Sequence, residues 1–540
     1  MPPAPFAPDA MEVGHETGPT EPAVAMPAKP TMLSTFSSLF PRYMFAWELN
    51  IVSAAVLGLV YSRLPEEYEF FFYGFLAVIA FDAVNYYMKR GSMAGVPYTL
   101  PMLSLISMLV HPVRFWAEQG ALAMESKEGM SSNTLVGKFM IFVTDPKLVK
   151  AIFTGEGTYQ LYAHPNAKWL FGANNLIYMP TEAHKRFRAL LTPALFSNDA
   201  LTMYARAQEG VVRKYLAKYA EESQGKPYDA RIAFRSIGAV ASQESFLGPY
   251  LNDAMRDHLE KDILCFTNGF LCFPFPYLGS GLAQAIAAKL RIQDTILSLI
   301  PAARSYIRAG NTPRCLLEHW TLAIMEAAQD QGVKPEELPG CNDRDVAITV
   351  MDFLFAAQDA TNSALTFAVD VLHTRPDVVS KIREEVAACK GKEIWSMVRD
   401  SDQLRYTTRA AVQMLHHKPP VPMVPHLALK DAVLGGRKIH KGTVLIPSIA
   451  YSARMSGASR EYDPDRKETD NMFLKNMVFG GGQHKCPGRR YAESLLTVFL
   501  AVCINDYDFE RVGERPALND IMYYPTLFPA QNNFIIQPRA

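Results

Sequence analysis

The stretch that most constrains this chain is Phe479-Gly480-Gly481-Gly482-Gln483-His484-Lys485-Cys486-Pro487-Gly488, which runs directly into an apolar, helix-prone segment, Tyr491 to Val502. Glycines this dense let backbone approach a flat partner closely. The single cysteine lies just ahead of the helix start, where loop amides and the helix N-terminus stabilise a negative sulfur. Pro487 stands where a missing N–H costs a helix little. Taken alone, the same residues also read as a strand-to-helix turn around a buried free cysteine.

Length and charge narrow the setting. The chain has 540 residues, of which 49% are apolar, enough for a large core. Lys plus Arg (54) equals Asp plus Glu (54), so no net field points to nucleic acid, and no nucleic-acid partner is expected. Cysteines occur at 265, 272, 315, 341, 389, 486 and 503. Their odd number and the lack of a C-x-x-C pair argue against a disulfide framework and for a reducing compartment.

Residues 1–38 are rich in Pro, Ala and small polar residues, and a disordered tail is expected. Residues 39–92 form an anchor region with two apolar segments, Tyr43 to Tyr61 and Phe70 to Tyr87. Each approaches the roughly 20 residues that cross a bilayer. Glu48 and Asn50 interrupt the first and Asp82 the second, so one span or two remain open, as does a buried or interfacial role. Lys89-Arg90 favours keeping the following domain on the cytosolic side. The tail has no basic region ahead of the apolar run, which suits an uncleaved signal anchor.

Gly95-Val-Pro97-Tyr-Thr-Leu-Pro101 predicts an extended hinge. Residues 93–540 contain no linker or repeat and read as one domain. Helical periodicity covers Ala200–Glu222, Asp253–Thr267, Gly281–Ala309, Leu316–Gln331, Asp343–His373 and Asp377–Lys390. Strand-like pieces are short: Lys138–Val143, Val424–Leu429 and Asn533–Ile536. The expected fold is mainly α with a minor β-sheet.

Two further clusters carry chemistry. His184 and Arg188, four apart, share one helix face and suit paired carboxylates, or else form part of a solvated basic face with Lys185 and Arg186. The long Asp343–His373 pattern holds Phe353-Leu-Phe355-Ala356-Ala357-Gln358-Asp359-Ala360-Thr361. Ala356 and Ala357 leave space beside the helix. Asp359 suits a proton relay, and Thr361 a bond to a helix carbonyl or a water. A buried polar pair linking helices is the plainer reading.

The spacing of Phe479, Gly482, Cys486 and Gly488 resembles the haem-binding loop of cytochrome P-450 enzymes. The resemblance implies that fold behind an N-terminal membrane anchor, with haem b as cofactor and Cys486 as the axial thiolate ligand of its iron. It further implies that His484, His184 and Arg188 meet the haem propionates. Electrons would come from NADPH through NADPH–cytochrome P-450 reductase at the endoplasmic reticulum membrane.

The family usually has threonine directly after the acid of the long helix; here Ala360 stands there and Thr361 follows. This run resembles one subgroup, the sterol C-22 desaturases of plants, fungi and protists. So do residues 164 to 196, Pro419-Pro-Val-Pro-Met-Val-Pro-His426, Tyr462-Asp-Pro-Asp-Arg466 and Tyr524-Pro-Thr-Leu-Phe-Pro529. That resemblance implies a sterol substrate, whose side chain gains a double bond, in an apolar pocket. Phe353, Phe355, Ala356, Met423, Val424, Leu527 and Phe528 are the expected lining, although aromatic stripes also serve as plain core.

One feature departs from the family. Its Glu-x-x-Arg pair, which locks to a downstream arginine, is here Gln413 and His416, while the downstream Arg466 is kept. Either Gln413 accepts from Arg466 and His416 bonds as a neutral ring, or the lock is broken. The alternatives to desaturation are therefore another sterol or lipid hydroxylase or demethylase, and a non-catalytic haem- or sterol-binding relative.

Overall fold

The structure, a computed structural model, describes residues 44–110, 112–135, 137–162, 166–172, 175–272, 275–389, 391–399, 403–455, 462–466, 477–513, 521–524, 526–529 and 533–539. The expected disordered tail, 1–38, lies outside these residues.

A single helix, Asp343–Leu372, runs through the middle of the molecule. The Asn342 side chain caps it by accepting from the Asp345 N–H at 2.9 Å, and Asp343 and Asp345 in its first turn complement the helix dipole. From Thr361 to Leu372 every residue is buried. A stretch buried on all sides belongs to a core, and this helix packs on Ala230–Phe246, Gly281–Arg308 and Arg489–Asp506. Ser363 Oγ donates to the Leu527 carbonyl, fastening the helix to the C-terminal hairpin Ile521–Tyr524 and Thr526–Pro529.

The helices predicted from periodicity form within one or two residues of the expected bounds, and Leu316–Gln331 forms as expected. The apolar run after the cysteine becomes the helix Arg489–Asp506, with Gly488 at its N-cap. Gln208 Nε2 donates to the Tyr491 carbonyl at 3.1 Å and Ser494 Oγ donates to Gln208 Oε1 at 2.7 Å. These bonds tie that helix to the long Asn198–Ser223 helix.

The largest sheet has five strands in the order Met130–Leu135, Lys138–Val143, Val444–Pro447, His426–Ala428 and Tyr159–Leu161. Lys138–Val143 pairs in parallel with Val444–Pro447, placing Ile141 opposite Leu445; the other pairs are antiparallel. The expected hinge is extended but not free. Val96 N–H donates to the Ser132 carbonyl at 3.1 Å, and Ser132 N–H donates to Ala94 O at 2.8 Å. The backbones pass so closely that a Cβ on Gly95 would lie 2.6 Å from the Ser132 carbonyl oxygen.

Ahead of the sheet, helices Met44–Tyr61 and Glu69–Arg90 are joined by a turn bearing Arg63, Glu66 and Glu67. Among the described residues, one helix, Glu66–Arg90, is long and apolar enough to cross a membrane, and Asn50–Tyr61 is a shorter apolar helix. Two of their polar interruptions meet at one residue. Asn50 Nδ2 donates to the Tyr98 carbonyl at 2.8 Å, and the Tyr98 hydroxyl donates to Asp82 Oδ2 at 2.7 Å.

Candidate active site

The cysteine loop is shaped by its own backbone and by the helix Pro146–Thr154. Cys486 N–H donates to the Phe479 carbonyl at 2.8 Å, and Gly480 N–H donates to Met477 O at 2.9 Å. Gly482 begins a short 3-10 turn with φ +63°, and a Cβ there would lie 2.1 Å from the Phe153 carbonyl oxygen. Only glycine meets both demands. Gly488 has φ −79°, and a Cβ there would stand 3.9 Å from Cys486 Sγ, an ordinary contact.

Cys486 is exposed at the wall of a cavity of about 390 Å³, in a densely surrounded position. Burial therefore pushes its thiol up, while the Gly488 N–H and the nearby Arg188 guanidinium draw it back down. Gly480 and Gly481 present bare backbone to the same cavity, and Phe479 lines it. Ala356, Ala357, Ala360 and Thr361 of the central helix also line it.

The basic cluster forms at the edge of this cavity. His184 is buried on the helix Thr181–Phe196. Its ring centroid lies 4.3 Å from that of His484. Gln483 Nε2 donates to His184 Nδ1 at 2.9 Å and to the Thr181 carbonyl at 2.9 Å. Burial first, then His484 and Arg188, depress His184 to about 4. His484 is lowered by burial and Arg188. Burial also lowers Arg188, and among the described residues no carboxylate pairs with it.

These residues fit a haem. A thiol and glycine backbone line the cavity with small alanine side chains, and two neutral imidazoles and an unpaired guanidinium gather at its edge. That edge has cationic capacity in Arg188, which pairs with no carboxylate among the described residues and so suits the carboxylates of the bound group.

The structure separates the two residues grouped as catalytic. Thr361 lines the cavity. Asp359 does not; it turns to the neighbouring helix Ala230–Phe246, where Arg235 Nη2 stands 3.6 Å from its Oδ1. Burial raises Asp359, and Arg235 offsets part of that rise. Of the expected substrate residues, Phe353, Phe355, Ala356 and Val424 line the cavity, whereas Met423, Leu527 and Phe528 do not. Leu527 and Phe528 pack as strand residues of the C-terminal hairpin.

The lock region is held together in another way. Gln413 and His416 lie on the helix Arg405–His417, and among the described residues no hydrogen bond joins Gln413 to Arg466. The Tyr462 hydroxyl instead donates to the Ala410 carbonyl at 3.1 Å. Lys381 Nζ lies 2.6 Å from Asp465 Oδ2, with Arg409 4.0 Å from the other oxygen. His416 is buried.

Four site residues emerge only from the structure. Gln483 orients His184, and Arg235 stands beside Asp359. Asp352 and Asn175 stand in the cavity wall. The Gly-rich loop offered a signal for Gln483; for the other three the sequence carries no local mark.

Residues 127–530 match the family model described as Cytochrome P450. Over 469 residues the chain is 33% identical to Cytochrome P450 710A2 of Arabidopsis thaliana, covering 83% of this chain and 91% of that protein. It is 26% identical over 487 residues to C-22 sterol desaturase ERG5B of Gibberella zeae, covering 84% of this chain and 89% of that protein. The solved structure of retinoic acid bound cyanobacterial CYP120A1 matches with a TM-score of 0.67 at 19% identity, over 83% of this chain and 99% of that one, a likeness of fold.

Proposed function

The chain belongs to the cytochrome P450 family, and on that premise we propose that it is a membrane-anchored enzyme that introduces the C-22 double bond into a sterol side chain. The family works with haem iron, a thiolate ligand and electrons from a redox partner. When bound, the haem supplies oxygen activation, helped by electron density from the thiolate. Cys486 would provide that thiolate, and His184, His484 and Arg188 would meet the haem carboxylates. NADPH–cytochrome P-450 reductase is the proposed electron source, with the endoplasmic reticulum as the membrane and the catalytic domain on its cytosolic face.

One observation carries the reading: Cys486 and the small-residue face Ala356–Thr361 open onto the same apolar cavity. An alkane-like side chain is drawn into such a cavity by loss of apolar surface from water. Phe353, Phe355 and Val424 would hold it against the alanine face and exclude water. Thr361 offers a hydroxyl there, and Asp359, held by Arg235, offers a carboxyl one step behind it. Overall, two hydrogens leave adjacent carbons, and oxygen with two electrons and two protons becomes two waters. The choice of C-22 rests on the run Ala357-Gln358-Asp359-Ala360-Thr361 and on relatives named as C-22 sterol desaturases.

The test is reconstitution of the full chain with reductase, NADPH and sterols. A product two hydrogens lighter, unsaturated in the side chain, is expected. A product with one oxygen added would identify a hydroxylase, and binding without turnover would identify a non-catalytic relative. Cys486→Ala should lose the thiolate-type band in the reduced, carbon monoxide spectrum; an unchanged band would remove Cys486 as ligand.

A further inference from the structure

Four phenylalanines from four elements meet at one part of the cavity wall. Phe171 ends the helix Ala167–Phe171, Phe266 lies on Asp253–Asn268, Phe270 on the short turn Gly269–Leu271, and Phe355 on the central helix. Every pair among them is in ring contact, with centroid distances from 5.2 to 5.6 Å. Phe171 and Phe355 line the cavity, whereas Phe266, fully buried, and Phe270 stand behind them. Asn166, also fully buried, fixes the arrangement. Its Nδ2 donates to the Gly269 carbonyl at 2.9 Å and to the Cys272 carbonyl at 2.6 Å, tying the short helix to the turn. The turn has no slack, because a Cβ on Gly269 would lie 2.3 Å from the Ala285 Cβ.

Mutually packed aromatic rings are stiff. Each ring touches the other three, so none turns aside without breaking three contacts in a close-packed interior. Phe355 stands six residues before Thr361, which places it about 9 Å away along the helix axis at 1.5 Å per residue. The rings therefore close one side of the cavity at a fixed reach from Thr361. Core packing alone would leave that reach unchanged when a ring behind the lining is shortened. Here the lining rings rest on the buried ones, so the reach depends on both layers.

We infer that these four rings are the wall that decides how long a hydrocarbon the cavity takes. Phe171 and Phe355 are specificity-determining residues that meet the apolar end of the substrate. Phe266, Phe270 and Asn166 are positioning residues that hold those two in place. The wall admits a hydrocarbon up to a fixed reach and resists each methylene beyond it, since overfilling a close-packed site displaces its side chains. The inference rests on the proposed function for the sterol nature of the substrate, but not for the limit of length.

The test uses the haem-loaded full chain and 1-alkylimidazoles of rising chain length, whose ring nitrogen binds the iron and leaves the alkyl chain in the cavity. Binding is read from the haem absorption shift. In the wild type affinity should rise about fourfold with each methylene and then stop rising at one length. Phe171→Ala and Phe266→Ala should each move that stop to longer chains, so that the first chain beyond the wild-type limit gains about fourfold. Asn166→Ala should move it in the same direction. Phe266→Leu takes the place of Phe266→Ala if the latter fails to hold haem. Phe234→Ala removes a buried ring that packs on Phe499 outside the cavity wall; it should lower the melting temperature and leave the limit in place. A wild-type series without a stop, an unmoved stop in Phe171→Ala and the Phe266 variant, or an equal move in Phe234→Ala would each overturn the wall. Sterol binding is read separately, by displacement of the shortest alkylimidazole with cholesterol. A moved limit in a protein that binds no sterol would uphold the wall and refute the sterol reading, and sterol binding with an unmoved limit would do the reverse.

Discussion

Gln483 Nε2 donates to His184 Nδ1 at 2.9 Å, so a side chain of the cysteine loop sets the tautomer of a buried histidine on the facing helix. An amide nitrogen can only donate, so Nδ1 must accept and the ring proton sits on Nε2. The contact joins two sequence motifs about three hundred residues apart into one neutral, pre-oriented edge of the cavity.

That edge makes the haem-free chain acid-sensitive. His184 and His426 are both held near 4, chiefly by burial, against about 6.5 for an unfolded histidine. Between these values the unfolded chain binds more protons, so protonation favours unfolding. Stability from these groups should be intact above about pH 6.5 and decline as the pH falls toward 4. Denaturant midpoints measured from pH 7 to 5 should fall less steeply in His184→Gln than in the wild type. Identical slopes would show that His184 does not report the pH change.

The loop glycines should differ sharply. Gly482→Ala has to adopt a positive φ, costing roughly 1–2 kcal/mol, and drives a methyl to 2.1 Å from the Phe153 carbonyl oxygen. Loss of haem and a lower melting temperature are expected. Gly488→Ala meets only an ordinary contact at a negative φ and should stay within about 1 kcal/mol of the wild type. Equal effects of the two substitutions would contradict the docking of the loop on Phe153.

Gln413→Ala should change stability by less than about 0.5 kcal/mol, because Gln413 makes no bond to Arg466 for the substitution to break. Tyr462→Phe removes a buried bond to Ala410 O and should cost about 1 kcal/mol or more in denaturant titrations. The double variant Gln413→Glu with His416→Arg should be tolerated or should hold haem better. Loss of haem in the double variant alone would mean that this helix cannot accommodate the family's lock.

The helical frame was legible because the long helices carry a 3.6-residue pattern, several with a side-chain cap, as at Ser197, Asn252, Ser280 and Asn342. The cysteine loop was legible because its geometry is made by its own glycines. Asp359 was harder. Sequence places it beside the cavity-facing side of the helix, but its ion-pair neighbour Arg235 lies more than a hundred residues earlier, on another helix. Asp352 was missed for the same reason. An acid amid Met351, Phe353 and Leu354 acquires meaning only when the Leu176 N–H and the Asn175 amide are set beside it. Leu527 and Phe528 are apolar in either case, and pairing in the C-terminal hairpin consigns them to the core.

The two N-terminal helices lead to a topology experiment. Asn50 and Asp82, two of the three polar breaks in the apolar segments, are both satisfied at Tyr98, beside the catalytic domain. At the opposite end Tyr61 and Tyr73 share a hydroxyl–hydroxyl bond of 2.9 Å, next to the charged turn. The helices thus form an antiparallel pair with the start of the first beside the end of the second. If the pair enters the membrane as a unit, the turn crosses and the chain ahead of Met44 stays with the catalytic domain. A glycosylation acceptor loop inserted between Arg63 and Pro65 should then be modified in microsomes, and one placed before Met44 should not. Modification of both would mean that only Glu69–Arg90 spans, and modification of neither would mean that the pair lies along the membrane surface. The Tyr98 clamp separates these cases further. Asn50→Leu should leave the hairpin pattern intact if burial of the pair dominates, and should convert it to the single-span pattern if the clamp fixes the first helix.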